Sequence, residues 1–191
     1  MAEGSAARQQ SAAPLDGTKR RPAPSMRGAV LLLVLLACQP AAAQEPSLEQ
    51  KQSIPEWASE AFQSTEFARD YLLSARVNPF LLNGDFNGDG RLDIAILISR
   101  RDTGADGIAL LHAGVARPIV VGAGHSIGNG GPNLAGMGAW SVYSKGPVQR
   151  GADETAPPRL RGDALLVEWV GSASAIIYWD GRTYRWYQQG D

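Results

Sequence analysis

The chain has 191 residues, of which 44% are hydrophobic, and it carries a formal net charge of -1 at pH 7. Its single cysteine, Cys38, excludes a framework of internal disulfides and leaves no thiol for nucleophilic catalysis beyond that position. Residues 44–191 have a net charge of about -4 and contain only two lysines, Lys51 and Lys145. The sequence therefore predicts no basic surface for nucleic acid.

The first 43 residues are interpreted as processed sequence rather than as part of a folded domain. Residues 1–25 show no apolar periodicity, which indicates a disordered extension or a mis-assigned start, with Met26 as the true start. Residues 26–43 combine one basic residue, a short apolar run and small residues near the end, which is the layout of a secretory signal peptide. The apolar run is too short to cross a bilayer core of about 30 Å.

Two processing routes remain open for this segment. Small residues at Ala41 and Ala43 suit cleavage after Ala43 by the ordinary signal peptidase. The alternative is lipidation of Cys38, because "LLAC" resembles a bacterial lipoprotein box. Both routes predict an exported bacterial protein, periplasmic or extracellular, that contacts a membrane only through a lipid on Cys38.

One helix is predicted at the beginning of the domain. Residues 44–52 are polar and are predicted to form a linker. The sequence "SIPE", from Ser53 to Glu56, has the pattern of a capping box with an early proline. Apolar residues three to four apart from Trp57 onward then predict an amphipathic helix over residues 54–73.

Beyond this helix, short runs rich in Ile, Val, Trp and Tyr alternate with Gly and Pro, which predicts strands in a mainly antiparallel sheet. Residues 94–98 are apolar at every position and indicate a central strand that the helix covers on one face. The expected fold class is α+β, with one domain over residues 53–191 and the N-terminal amphipathic helix packed on the sheet. The predicted strands are 80–82, 92–99, 108–112, 118–121, 140–143, 164–170, 173–179 and 182–188.

The last two strands are predicted to form a β-hairpin. Asp180-Gly181 separates two β-forming runs, and both residue types tolerate the positive φ values that a two-residue type I′ turn requires. This turn would place Trp179 opposite Arg182.

The segment "GDFNGDGRLDIAIL" over residues 84–97 contains the sequence's most specific chemical pattern. Hard cations such as Ca²⁺ bind six to eight oxygen ligands, which a tight loop can present from alternate residues. Three carboxylates packed this closely would repel one another without a cation. The candidate ligands are the side chains of Asp85, Asn87, Asp89 and Asp93 and the backbone carbonyl of Arg91.

The spacing begins like an EF-hand loop, but Ile96 occupies the position where that loop needs a bidentate glutamate. The segment instead resembles the calcium loop of FG-GAP and VCBS-type repeats, as in integrin β-propellers, whose pattern is D-x-[DN]-x-D-G-x-x-D. The resemblance implies one bound calcium ion in a turn that enters a strand. A single copy is present, so no propeller is expected. The matching positions are Asp85, Asn87, Asp89, Gly90 and Asp93.

A turn without metal is the alternative interpretation of this segment, because Asp, Asn and Gly all favour turns by local hydrogen bonding. The Gly-rich sequence that starts at Gly122 has Ile127 where a dinucleotide loop needs its third glycine, so no organic cofactor is expected. His112 is expected to be a structural residue at the end of a strand.

The leading functional hypothesis is a non-catalytic calcium-binding module of the cell envelope with a protein or glycan partner. Aromatic residues at Tyr178, Tyr187 and Trp140 are the candidate partner surface, with core packing as the alternative. The rival hypothesis is an envelope hydrolase with a calcium-supported site near His125. An enzyme of that kind should bring His125, Glu168 or another acid close to the ion.

Overall fold

The computed structural model describes residues 44–151 and 155–190. The predicted extension, the signal peptide and both processing sites lie outside these residues. The elements are α1 Leu48–Gln52, α2 Glu56–Gln63, α3 Thr65–Asp70, β1 Tyr71–Leu73, β2 Leu81–Gly84, β3 Asp93–Arg100, β4 Asp106–Leu111, β5 Ile119–Gly122, a 3-10 helix Gly128–Gly130, β6 Ala139–Tyr143, β7 Ala164–Trp169, β8 Ala173–Trp179 and β9 Tyr184–Gly190.

The strands form two antiparallel sheets, whereas the sequence predicted one. The first sheet has the order β1-β3-β4-β5, and the second has the order β6-β7-β8-β9. Strand β2 pairs with the first half of β3, from Gly84 opposite Asp93 to Leu81 opposite Ile96. Strand β1 pairs with the last part of β3, where Tyr71 lies opposite Arg100. The mainly antiparallel character of the fold is thus confirmed.

The two sheets enclose one buried cluster between them. Every second residue of a strand faces the same side, so alternate residues of β3 and β4 meet alternate residues of β7 and β8. The members from these four strands are Ala95, Leu97, Ile108, Leu110, Leu165, Val167, Ala175 and Ile177.

The other face of β3 belongs to a second buried cluster, which includes side chains from the helices. Residues 93–99 are all buried, which agrees with the prediction of a central strand that is apolar on both faces. The members from the helices and from β3 are Ala58, Ala61, Phe62, Phe67, Ile94, Ile96 and Ile98.

The prediction of one continuous helix over residues 54–73 is wrong. The chain forms α2 and α3 instead and then enters β1. Ser64 has an extended backbone with ψ of 141°. Its hydroxyl donates to the carbonyl of Ala61 and accepts the N–H of Phe67, so one side chain ends α2 and begins α3. Among the described residues, no helix is long and apolar enough to cross a membrane.

The predicted capping box at Ser53 is also wrong. Ser53 is the C-cap of α1, and its hydroxyl donates to the carbonyl of Gln50. The capping box lies at Ser47, which exchanges hydrogen bonds with Gln50 at 2.8 and 3.2 Å. The polar segment 44–52, predicted to be a linker, therefore contains a short capped helix.

The predicted strands all exist, with ends displaced by no more than two residues. The register of the last hairpin differs from the prediction, because Trp179 pairs with Tyr184 rather than with Arg182. The connection is a four-residue turn in which the Asp180 N–H donates to the carbonyl of Thr183. The side chain of Asp180 accepts further N–H bonds within this turn, which favours the longer connection over the two-residue type I′ turn.

The Asp180 carboxylate is expected to titrate far below an ordinary aspartate. The side chain of Arg185, then the N–H groups of Thr183 and Arg182, lower the pKa of Asp180 from 3.8 to about 2. Since the folded pKa is lowered, these contacts favour the turn above about pH 4 and are lost as the pH falls through about 2. Carbon-detected NMR titration should give this value, and Arg185→Ala should raise it toward 3.8. A midpoint that Arg185→Ala leaves unchanged would contradict the assignment.

Candidate metal centre

The candidate calcium turn joins β2 to β3 and is closed by the pairing of Gly84 with Asp93. Gly88 and Gly90 have φ values of 80° and 81°, a conformation that side-chain-bearing residues rarely adopt. A Cβ atom on Gly88 would also lie 2.5 Å from the carbonyl oxygen of Arg161. The sequence needs glycine there for both conformation and space.

Asp85 forms the centre of the turn through hydrogen bonds to its backbone. Its Oδ1 accepts the N–H groups of Gly88 and Asp89 at 2.8 and 3.0 Å, and its Oδ2 accepts the N–H of Gly90 at 2.9 Å. These contacts hold the N–H groups of the turn toward one carboxylate. A carboxylate has about four acceptor positions, so about one remains on Asp85.

Asp93 joins the turn to the rest of the first sheet and is fully buried. Its Oδ2 accepts the N–H groups of Phe86 and Asn87 at 3.0 and 3.2 Å, and its Oδ1 accepts the N–H of Ala113 at 2.8 Å. Burial raises the pKa of Asp93, and the hydrogen bond from Ala113 and the proximity of His112 act against this rise.

Asn87 and Asp89 lie on the outer side of the turn and bond to each other. The amide of Asn87 donates to Oδ2 of Asp89 at 3.0 Å, and the N–H of Asp89 donates to Oδ1 of Asn87 at 2.8 Å. The Asn87 amide and the N–H of Arg91 lower the pKa of Asp89, so this exposed carboxylate is charged at neutral pH. The Arg91 guanidinium lies against Gly114. A Cβ atom added to Gly114 would be 2.6 Å from Nη1 of Arg91.

A fourth carboxylate at this end of the protein, Asp163, was not predicted from the sequence. Its Oδ2 accepts the N–H of Asp85 at 3.1 Å, and its own N–H donates to the Asp85 carbonyl at 2.7 Å. Its Oδ1 accepts the N–H of Lys145 at 2.9 Å. Asp163 lies 78 positions after Asp85 and just before β7, so no local sequence pattern could have linked the two.

The turn has the chemistry of a calcium site without a converged set of ligands. Its donors are all hard oxygens, which suits Ca²⁺. Within residues 44–151 and 155–190, however, no group of three or more His, Cys, Asp or Glu side chains is arranged to hold a metal ion. In the same ranges, none of the ion pairs involves Asp85, Asp89, Asp93 or Asp163.

The prediction of a partner surface at Trp140 and Tyr187 is wrong, because these side chains are only 3% and 5% exposed. Trp140 packs between the sheets and donates its indole N–H to the carbonyl of Pro79. The Tyr187 hydroxyl accepts the N–H of Gly151 and donates to the carbonyl of Thr155. Tyr178 is half-buried and packs against a third buried cluster, on the outer face of the second sheet, which contains Tyr187.

His112 has the structural role that its position predicted. It is 6% exposed, and its Nε2 lies 2.7 Å from the hydroxyl of Tyr184. The imidazole also packs edge-to-face on Trp179, with ring centroids 5.1 Å apart. Burial raises the pKa of Tyr184, with the Asp93 charge as a second cause.

His125 and Glu168 do not converge with the candidate calcium turn. Gly122, which pairs with His125, lies opposite Gly107, and Gly107 lies opposite Ile98. His125 is therefore level with the end of β3, about 17 Å along the sheet from Asp93 at about 3.4 Å per residue. Glu168 likewise lies four residues along β7 from Ala164, where that strand starts next to Asp163. This arrangement lacks the convergence that the hydrolase hypothesis requires.

The Gly-rich segment after β5 packs on the indole rings of the second sheet. Trp169 and Trp186 contact each other at 5.7 Å between ring centroids. A Cβ atom on Gly128 would lie 2.3 Å from Cβ of Trp186, and one on Gly130 would lie 2.4 Å from its ring. Gly128 and Gly130 therefore allow this segment to pack closely on Trp186.

Gly128→Ala is expected to destabilise the protein by about 2–4 kcal/mol, because it combines a positive φ with overpacking against Trp186. Gly104→Ala, in the turn between β3 and β4, is the control. Its φ is also positive, at 68°, but its Cβ atom would meet open space, so only about 1–2 kcal/mol is expected. Urea unfolding of both variants measures the difference. Equal losses would show that Trp186 adds no steric penalty.

Comparisons of the chain with protein-family models, with curated proteins and with solved structures found no match.

Proposed function

We propose that this protein is an exported, non-catalytic calcium-binding module with a protein or glycan partner. The observation that supports it best is the group of four carboxylates at one end of the sheets, for which the described residues provide no ion pair. A divalent cation is the counter-charge that such a group most readily accepts. The resemblance of the turn to FG-GAP and VCBS-type loops points to the same ion.

The proposed ligands are the side chains of Asp85, Asn87, Asp89 and Asp93 with the carbonyl of Arg91. Asn87 and Asp89 are the members that must reorient, because their polar atoms now bond to each other at the surface. Export matters to the proposal because extracellular calcium modules bind the ion with dissociation constants of about 10⁻⁴ to 10⁻³ M. The signal-peptide pattern over residues 26–43 is the basis for this part of the proposal.

Isothermal titration of the full chain with calcium tests the proposal directly. One site is expected for calcium, with much weaker binding of magnesium, because Mg²⁺ gives up its water ligands reluctantly. Asp89→Ala should lower the calcium affinity at least tenfold. Asp102→Ala, which removes an exposed carboxylate from the far end of β3, should leave it unchanged. No saturable calcium binding at millimolar concentration would contradict the proposal.

A further inference from the structure

The backbone of Asp85 is held by a residue at the edge of the second sheet, Asp163. Oδ2 of Asp163 accepts the Asp85 N–H at 3.1 Å, and the Asp163 N–H donates to the Asp85 carbonyl at 2.7 Å. A residue has one donor and one acceptor on its main chain. Both of these groups on Asp85, the residue at the centre of the candidate calcium turn, are therefore fixed from outside the turn.

Residues 161–163 also pack on the turn backbone against backbone. A Cβ atom on Gly162 would overlap the carbonyl oxygen of Asp85 and would lie 2.6 Å from the backbone nitrogen of Gly88. A Cβ atom on Gly88 would in turn lie 2.5 Å from the carbonyl oxygen of Arg161. A backbone movement at Asp85 or Gly88 would therefore displace this segment.

Asp163 also closes the base of the connection between β6 and β7. Lys145 lies two residues after the end of β6, and Asp163 immediately precedes the start of β7. Oδ1 of Asp163 accepts the N–H of Lys145 at 2.9 Å. One carboxylate thus joins the candidate calcium turn to both ends of this connection.

Calcium coordination depends on these contacts because Asp85 is one of the proposed ligands. The Asp85 carboxylate already accepts three N–H groups of the turn, so the position of its backbone determines where its remaining acceptor position points. A ligand that its neighbours hold in place loses less conformational freedom when it binds the ion. Residues that position metal ligands in this way typically contribute about 10–100-fold to metal affinity.

We propose that Asp163 is a positioning residue for the calcium turn, and that bound calcium in return stabilises the base of the β6–β7 connection. The inference rests on the proposed calcium binding and adds a route by which the ion acts on the second sheet. Coupling between two sites is reciprocal. If the contact between Asp163 and the turn raises the calcium affinity by some factor, calcium strengthens that contact by the same factor.

A calcium titration of the ¹⁵N-labelled full chain, followed by NMR, tests the positioning role. Asp163→Ala should weaken calcium binding about tenfold. Tyr143→Phe is the matched control, because it removes a hydrogen bond to the carbonyl of Pro147 within the same connection and should leave the affinity unchanged. Asp163→Asn retains one acceptor oxygen and should weaken binding about threefold. This second variant keeps the test decisive if Asp163→Ala fails to fold.

Amide hydrogen exchange in calcium and in chelator tests the reverse effect. Calcium should slow exchange of the Lys145 amide by up to about tenfold, and Asp163→Ala should abolish that difference. The amide of Gly104, which donates to the carbonyl of Arg100 at the far end of β3, should exchange equally fast in both solutions.

An unchanged calcium affinity in both Asp163 variants would overturn the proposal and leave calcium binding intact. Such a result, with a lower free energy of unfolding for Asp163→Ala in chelator, would assign Asp163 a purely structural role. An equal loss of affinity in Tyr143→Phe would also overturn the proposal, because the effect would then come from the connection and not from the contact with Asp85. Absence of saturable calcium binding by the unsubstituted protein would refute the proposed function, and the positioning role with it.

Discussion

In excess calcium, the midpoint of thermal unfolding is expected to lie about 5–10 °C above the midpoint in chelator. At a free calcium concentration one hundred times the dissociation constant, binding stabilises the folded state by about 2.7 kcal/mol. For a chain of this size, each kcal/mol shifts the midpoint by about 2–4 °C. Differential scanning calorimetry of the full chain in both solutions measures this shift.

Asp89→Ala separates a calcium effect at this turn from one elsewhere. Asp89 is exposed, so its loss should change the midpoint in chelator by no more than about 1–2 °C while removing most of the rise with calcium. Asp102→Ala should keep the full rise. Equal midpoints of the unsubstituted protein in the two solutions would refute the calcium site, and a rise that survives Asp89→Ala would move the site to other residues.

Asp93→Ala is expected to destabilise the protein by about 3–5 kcal/mol in chelator as well as in calcium. The substitution removes the acceptor for three backbone N–H groups, those of Phe86, Asn87 and Ala113. Two of these bonds belong to the turn and the third joins it to the segment after β4. A hydrogen bond to a charged group contributes about 1.5–3 kcal/mol, and a buried donor without an acceptor carries a further penalty.

Urea unfolding in chelator provides the measurement for Asp93→Ala, with Asp89→Ala as its control. The two carboxylates belong to the same nine-residue turn, but only Asp93 is fully buried. A large loss for Asp93→Ala beside a small one for Asp89→Ala would assign Asp93 a structural role that does not depend on the ion. Equal small losses would mean that the three N–H groups find other acceptors.

The strands could be predicted because their pattern is local. Runs of β-branched and aromatic residues bounded by Gly and Pro identify them without knowledge of their partners. The hairpin register was displaced by two residues, since the side chain of Asp180 stabilises a four-residue turn. An even displacement keeps each side chain on its face of the sheet, so the error in register does not exchange the two faces of the hairpin.

Other features depend on contacts that the sequence pattern does not carry. The strands of both sheets carry the same kind of local pattern, so nothing in the sequence separates one sheet of eight strands from two. Ser64 caps two helices at once, and a helix-period pattern runs through it unchanged. Trp140 is buried because the second sheet packs on the first, and Tyr187 is buried because Val148 and Leu160 pack on the outer face of the second sheet. Neither contact is encoded in a local pattern.

Strand β3 contributes to the cluster between the sheets with Ala95 and Leu97 and to the cluster beneath the helices with Ile94, Ile96 and Ile98. Exposing either cluster to solvent would therefore disturb β3, and the other cluster packs on the same strand. Local openings that expose part of the interior should cost nearly as much free energy as complete unfolding. The helices and the two sheets should accordingly unfold together as one cooperative unit. The slowest amide hydrogen exchange is expected in β3.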